Sequence, residues 1–186
     1  MARASRLVVL TAAVALVAAA SAASAAAQPR TLVVGSSATY PPFAYENPQK
    51  QIVGFDVDII RAIAQKSGLQ VRIVNTPFVG IFASLNNGDI DLIVSGVTIN
   101  DRRRQSYDFT TPYFEARQLI AVAAGSAVKS VQDLAGKKVA VVTGSTADDI
   151  ASRAFGKTSG NIRRFDTTPL IISELLSGGV DAAIGD

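Results

Sequence analysis

The residues with the clearest chemical purpose lie in the run from Asp89 to Arg104. There Ser95, Gly96 and Thr98 follow an apolar stretch, and Arg102, Arg103 and Arg104 come after them. A glycine lets a ligand approach the backbone, while hydroxyl and N–H groups supply directed hydrogen bonds. A guanidinium grips a carboxylate with two prongs. Together these groups suit a small carboxylate ligand. The alternative is a strand ending in a capped turn with its arginines in solvent, since charge runs are usually solvated. Positioning this chemistry requires an element on each side. Ile90 to Val97 reads as a strand buried on both faces, of the kind found in parallel sheets between helices. In open α/β sheets, ligands bind beyond the carboxyl ends of the strands. Asn100 or Asp101 can cap a short helix carrying the arginines.

A chain of 186 residues allows one large domain or two small ones, and 48% hydrophobic content is enough for real cores. Residues 1–27 read as a secretory leader. Arg3 and Arg6 precede an apolar stretch from Leu7 to Ala20, and A-x-A sites follow between Ala23 and Ala27. The alternative, a membrane anchor, fits poorly with a short, Ala-rich segment. This leader holds two of the 18 Lys and Arg and none of the 15 Asp and Glu, so charge in the rest nearly balances and argues against a nucleic-acid partner. The chain has no Cys and no His. That excludes disulfides, thiolate or imidazole metal sites, Cys nucleophiles, Ser-His-Asp catalysis and a lipid-modified leader cysteine. An exported protein of this composition fits a binder better than a hydrolase, with no cofactor and no metal expected.

Along the chain, Thr31 to Gly35 is a first strand. The loop Ser36 to Phe43 is held extended by Pro41 and Pro42. Tyr40 reads as a pocket wall and Phe43 as core, although both could plug the core. Glu46 to Gln51 is a turn. A helix runs from Val57 to Lys66 and stops at Gly68. Asp56 and Asp58 at its start read as caps and dipole partners rather than catalytic carboxylates. Leu69 to Asn75 is a strand and Ile81 to Asn86 a short helix. After the run already described, Arg117 to Ala124 is a strand leaving the first lobe, and Ser130 to Leu134 is one helical turn. The pattern then restarts with strand Lys138 to Val142, helix Ala147 to Phe155 and strand Asn161 to Phe165. Thr168 can cap a helix with Pro169 in its first position. Val180 to Ile184 is a last buried strand. Gly88 to Ile93 and Gly179 to Ile184 occupy equivalent places, so the second half repeats the first and the two lobes form a cleft.

These residues, in order, resemble the polar amino-acid class (family 3) of periplasmic solute-binding proteins, the receptors of ABC importers. The likeness runs from about Thr31 to Asp186. It rests on Gly54 to Ile59 with Ile63 and Ala64, on Tyr40 to Phe43, and on Gly96 to Thr98 with Arg103. Asp108 to Thr110, Pro112-Tyr113 and Asp133 to Val139 complete it; Ser67 departs from the family signature's last apolar position. The resemblance implies a two-lobed type II α/β fold, with lobe 1 over residues 28–119 and an incomplete lobe 2 over 120–186. It implies that Arg103 holds a ligand α-carboxylate with the Thr98 N–H. The Gly96 carbonyl and Thr98 hydroxyl would receive the α-ammonium, and Tyr40 and Phe78 would sandwich the side chain. Ser145 and Thr146 would add donors at a helix N-terminus, and Asp186 would pair with the ammonium. Arg102 and Arg104 are expected to face solvent.

The implied protein is a periplasmic monomer that binds one amino acid and delivers it to a membrane permease. A dehydratase of the cyclohexadienyl type, or a sensing domain, could be built on the same fold. Family members continue past the point equivalent to Asp186, so the resemblance implies a truncated chain that binds weakly. Ser37 and Val142 are uncharged where relatives taking charged or glutamine ligands carry charged residues. With no evident counter-charge in the pocket, the expected ligand is a neutral amino acid, polar or moderately apolar.

Overall fold

The computed structural model describes residues 30–186, and the expected leader lies outside them. Thr31–Asp186 form one compact unit. Its first half is built on β1 (Thr31–Ser36), flanked by β5 (Gln70–Asn75) and β6 (Leu92–Ile93), all parallel. The helix after the proline loop, α1 (Phe55–Ser67), buries Val57, Ile60 and Ala64, the spacing of one helical face. It ends at Gly68, whose φ of 65° lets its N–H reach back to the Ala64 and Gln65 carbonyls. A short 3-10 turn (Phe78–Gly80) leads into α2 (Ile81–Asn87). After β6, α3 (Asp101–Arg104) is capped by Asn100, whose side-chain oxygen accepts from the Arg103 N–H.

Two expectations change here. The apolar run after Asp89 pairs only over Leu92–Ile93. Ile90 and Ser95 are buried while the residues between them are half-buried, so the strand is shorter and less enclosed than its composition suggests. The segment read as loop and turn contains a small antiparallel sheet: β2 (Thr39–Tyr40), β3 (Ala44–Glu46) and β4 (Ile52–Val53). Strands of two or three residues are too short to show a period.

The second half is a four-stranded sheet in the order β7 (Leu119–Val122), β10 (Ala182–Gly185), β8 (Val139–Val142), β9 (Ile162–Phe165), with only β7 antiparallel. Leu134, Val139, Val141, Ile162 and Ile184 are buried against Ala147 and Ala151 of α4 (Thr146–Phe155). On the other face, α5 (Thr168–Leu176) packs Ile171 near Ala140, Val180 and Ala183. Thr167 rather than Thr168 holds the cap position of α5, with no side-chain bond, and Pro169 lies in the first turn. The internal repeat has a concrete form. The Asp91 carboxylate accepts from the Val33 N–H at 2.8 Å, within the first sheet's central strand. Asp181 does the same for the Lys138 N–H at 2.7 Å, just before β8.

Candidate functional site

Five of the eight residues expected to bind ligand line one cleft, Tyr40, Phe78, Gly96, Ser145 and Asp186, and Thr98, Arg103 and Thr146 are not among its lining residues. The cleft is open to solvent, and the space between its walls, the open mouth included, is about 620 Å³. Strand ends supply most of its wall. Tyr40 closes β2, Gly96 follows β6, Ser145 follows β8, and Asp186 follows β10. This is where the carboxyl ends of α/β strands place ligands.

Tyr40 stacks on Phe43 with ring centroids 5.3 Å apart, and its hydroxyl lies 3.5 Å from the Asp186 carbonyl oxygen. Burial raises the Tyr40 phenol above its ordinary pKa, and the nearby charges of Asp186 and Asp56 add to that. Gly96 has φ 54°, and a Cβ there would come within 3.2 Å of the Tyr40 ring, so glycine is needed for both conformation and space. Its turn is fixed from two sides. The Ser95 hydroxyl accepts from the Ser37 N–H at 2.9 Å. The Asp56 carboxylate accepts from the Gly96 N–H at 2.7 Å.

Arg103 is 5% exposed. It donates to the Thr98 carbonyl at 2.8 Å and to the Gly144 carbonyl at 3.3 Å, one on each side of the cleft. Its guanidinium carbon stands 5.2 Å from the centre of the Phe82 ring, a cation–π distance. Desolvation lowers its pKa, as does the neighbouring Arg102, while Asp149 and Asp186 pull the other way. Ser145 caps α4, its hydroxyl accepting from the Asp148 N–H. The Thr146 hydroxyl accepts from the Gln118 amide at 3.0 Å, and the same amide nitrogen donates to the Asp186 carboxylate. Desolvation raises the Asp186 carboxyl above its ordinary value; the Gln118 bond and the Arg103 charge act against that.

One reading of a single residue is corrected. Asp56 does not cap α1, which has no side-chain cap bond at Gly54. It is fully buried and accepts from Gly96 and from the Tyr113 hydroxyl at 3.0 Å. Arg102 faces solvent as expected, being 63% exposed, and also pairs with Asp149 at 2.8 Å, which links α3 to α4. Asp166, not considered from the sequence, lines the cleft with Thr167 and Thr168. The signal was there to use. Asp166 directly follows β9, and the carboxyl-end rule applied to Gly96 applies equally to it. Gln118, which ties Thr146 to Asp186, carried no local signal.

The comparisons with known proteins agree with this geometry. The chain is 42% identical over 154 residues to a probable histidine-binding protein of Neisseria gonorrhoeae, covering 82% of this chain and 58% of that one. It is 34% identical over 154 residues to an L-arginine-binding protein of Pseudomonas aeruginosa, covering 82% and 60%. The chain thus spans somewhat under two thirds of the length of these curated relatives. Among solved structures, the arginine-, lysine-, histidine-binding protein ArtJ of Geobacillus stearothermophilus superposes with a TM-score of 0.81 at 44% identity, covering 84% of this chain and 67% of that one. The family model for bacterial extracellular solute-binding proteins, family 3, matches residues 32–167. With that match across most of its length and a fold of two α/β lobes around a cleft, the chain belongs to family 3 of the bacterial extracellular solute-binding proteins.

Proposed function

We propose that the chain is the amino-acid-binding part of an extracytoplasmic receptor and that its cleft takes a cationic amino acid. The observation that carries this is the pair of carboxylates, Asp166 and Asp186, lining the same cleft as Tyr40 and Phe78. No Lys or Arg is among the residues on that wall. A ligand with two positive groups, an α-ammonium and a basic side chain, meets one carboxylate with each. Asp166 is exposed in the open cleft, so a neutral side chain seated over it would bury that carboxylate without compensation, which is costly. This replaces the neutral-ligand expectation, which rested on Ser37 and Val142 and did not count Asp166. Histidine and arginine in the names of the relatives point the same way.

In this reading Asp186 and the Gly96 carbonyl receive the α-ammonium. The basic side chain lies between Tyr40 and Phe78 toward Asp166. Arg103 has guanidinium N–H groups beyond the two that bind the Thr98 and Gly144 carbonyls. For a ligand carboxylate to use the fork, the longer bond, to Gly144, has to open. The site binds and releases its amino acid without chemistry, and the loaded protein hands it to the permease of an ABC importer.

A thermal-shift screen over the twenty amino acids and cystine tests the reading. Arginine, lysine or histidine should raise the melting temperature, and Asp166→Asn should weaken the response to them. Stabilisation by glutamine or another neutral amino acid with none by the basic ones would sink the cationic assignment. No response to any of them would sink the receptor reading itself.

A further inference from the structure

We propose that Asp56 is a positioning residue that sets the spacing between the two walls of the first-lobe half of the cleft, the Tyr40 loop and the Gly96 turn. This rests on the amino-acid-receptor reading only for what the cleft binds; the geometry stands apart from it. Asp56 is fully buried. Through its backbone it is fastened to the loop that follows Tyr40, its N–H donating to the Phe43 carbonyl at 3.0 Å while the Phe55 N–H donates to Pro42 at 3.1 Å. Gly54 makes that approach possible. Its φ is 125°, and a Cβ there would collide with the Phe43 carbonyl.

Through its side chain Asp56 reaches the other wall. One carboxylate oxygen accepts from the Gly96 N–H at 2.7 Å and the second from the Tyr113 hydroxyl at 3.0 Å. One residue therefore grips both walls, and the walls touch: the Gly96 α-carbon faces the Tyr40 ring closely enough that a Cβ would lie 3.2 Å from it. Holding Gly96 by its N–H fixes the peptide plane on that side and with it the turn at φ 54°. Tyr113 acts one step further out by holding the carboxylate. A buried carboxylate given no work would be a cost to the fold; here its two acceptor atoms are both used by groups that shape the site.

Residue-resolved amide exchange by NMR, together with calorimetric binding of L-arginine, tests this on the full chain. Asp56→Ala should speed exchange at Gly96 by roughly 10- to 100-fold relative to the β8 amides, the equivalent of losing one hydrogen bond to a charged group. It should weaken arginine binding by a similar factor. Asp56→Asn should rescue both to within about threefold, because its amide oxygen can accept from Gly96 and its amide nitrogen can donate to the Tyr113 oxygen. Tyr113→Phe, which keeps the carboxylate and serves if Asp56→Ala fails to fold, should speed Gly96 exchange by a smaller factor.

Unchanged exchange at Gly96 in Asp56→Ala, with only the melting temperature lowered, would overturn the proposal. Asn exchanging as fast as Ala would also overturn it, as would Tyr113→Phe leaving Gly96 untouched. Gly96 exchange is read without ligand. If the unsubstituted protein binds no arginine, the ligand assignment fails while the positioning role is still decided by exchange.

Discussion

Arg103 shows how one side chain can serve both lobes. Its guanidinium donates to a carbonyl in each, Thr98 and Gly144, and lies against Phe82. The residue that is proposed to hold the ligand carboxylate therefore also holds the seam beside the cleft. Arg103→Ala should cost binding about 2–5 kcal/mol, as for a desolvated charge pair losing one partner. Folding should not be spared. Two carbonyls lose their donor, so stability should fall by about 1–3 kcal/mol. Arg103→Lys keeps the charge without the fork and should fall between wild type and Ala in both respects. Calorimetry with L-arginine and urea denaturation measure the two effects. Arg103→Ala binding within about tenfold of wild type would place the carboxylate elsewhere.

At the scale of elements, the main sheet of each half has an aspartate that clips a central strand: Asp91 to Val33 within β1 and Asp181 to Lys138 just before β8. Both sit in the turn between a helix closed by glycine and the strand that follows. Their carboxylates satisfy N–H groups that the sheet ladder leaves open. The two clips differ in solvent access, since Asp91 is half-buried and Asp181 exposed. Asp91→Ala should destabilise by about 1.5–3 kcal/mol, the range for hydrogen bonds to charged groups. Asp181→Ala should cost less, because water can replace its carboxylate. Urea midpoints of the two variants test the order, and a larger loss for Asp181→Ala would refute it.

For the whole molecule, the contacts between the two halves matter more than their individual energies. Arg102 pairs with Asp149 and Arg103 reaches Gly144. Arg102 is mostly exposed, so its pair is worth only about 0.2–1 kcal/mol, but it joins α3 of one lobe to α4 of the other. A double-mutant cycle on Arg102→Ala and Asp149→Ala, read as affinity for L-arginine, should give a coupling of about that size that shrinks with added salt. A coupling of zero at low salt would make the pair a bystander to closure.

Local pattern by itself determined the succession of strands and helices, the halves that repeat, and the glycine and asparagine that end α1 and begin α3. These depend on periodicity and capping within a few residues, and that information lies next to the residue concerned. The turn at Gly96 was legible as a place for a ligand because it follows a strand, whereas Ser145 and Asp186 were expected only from the family resemblance. What a carboxylate does was decided only by the tertiary structure. Asp56 looked like a helix cap because its neighbours in sequence make a helix start; its partner is Gly96, 40 residues away. Asp166 became part of the cleft because β9 and β10, with β8 between them, bring it to the same rim as Asp186. Arg102 found Asp149 only once two lobes were packed together. Charge compensation acts through space over a few ångströms, so the ligand class that follows from it waited on the fold.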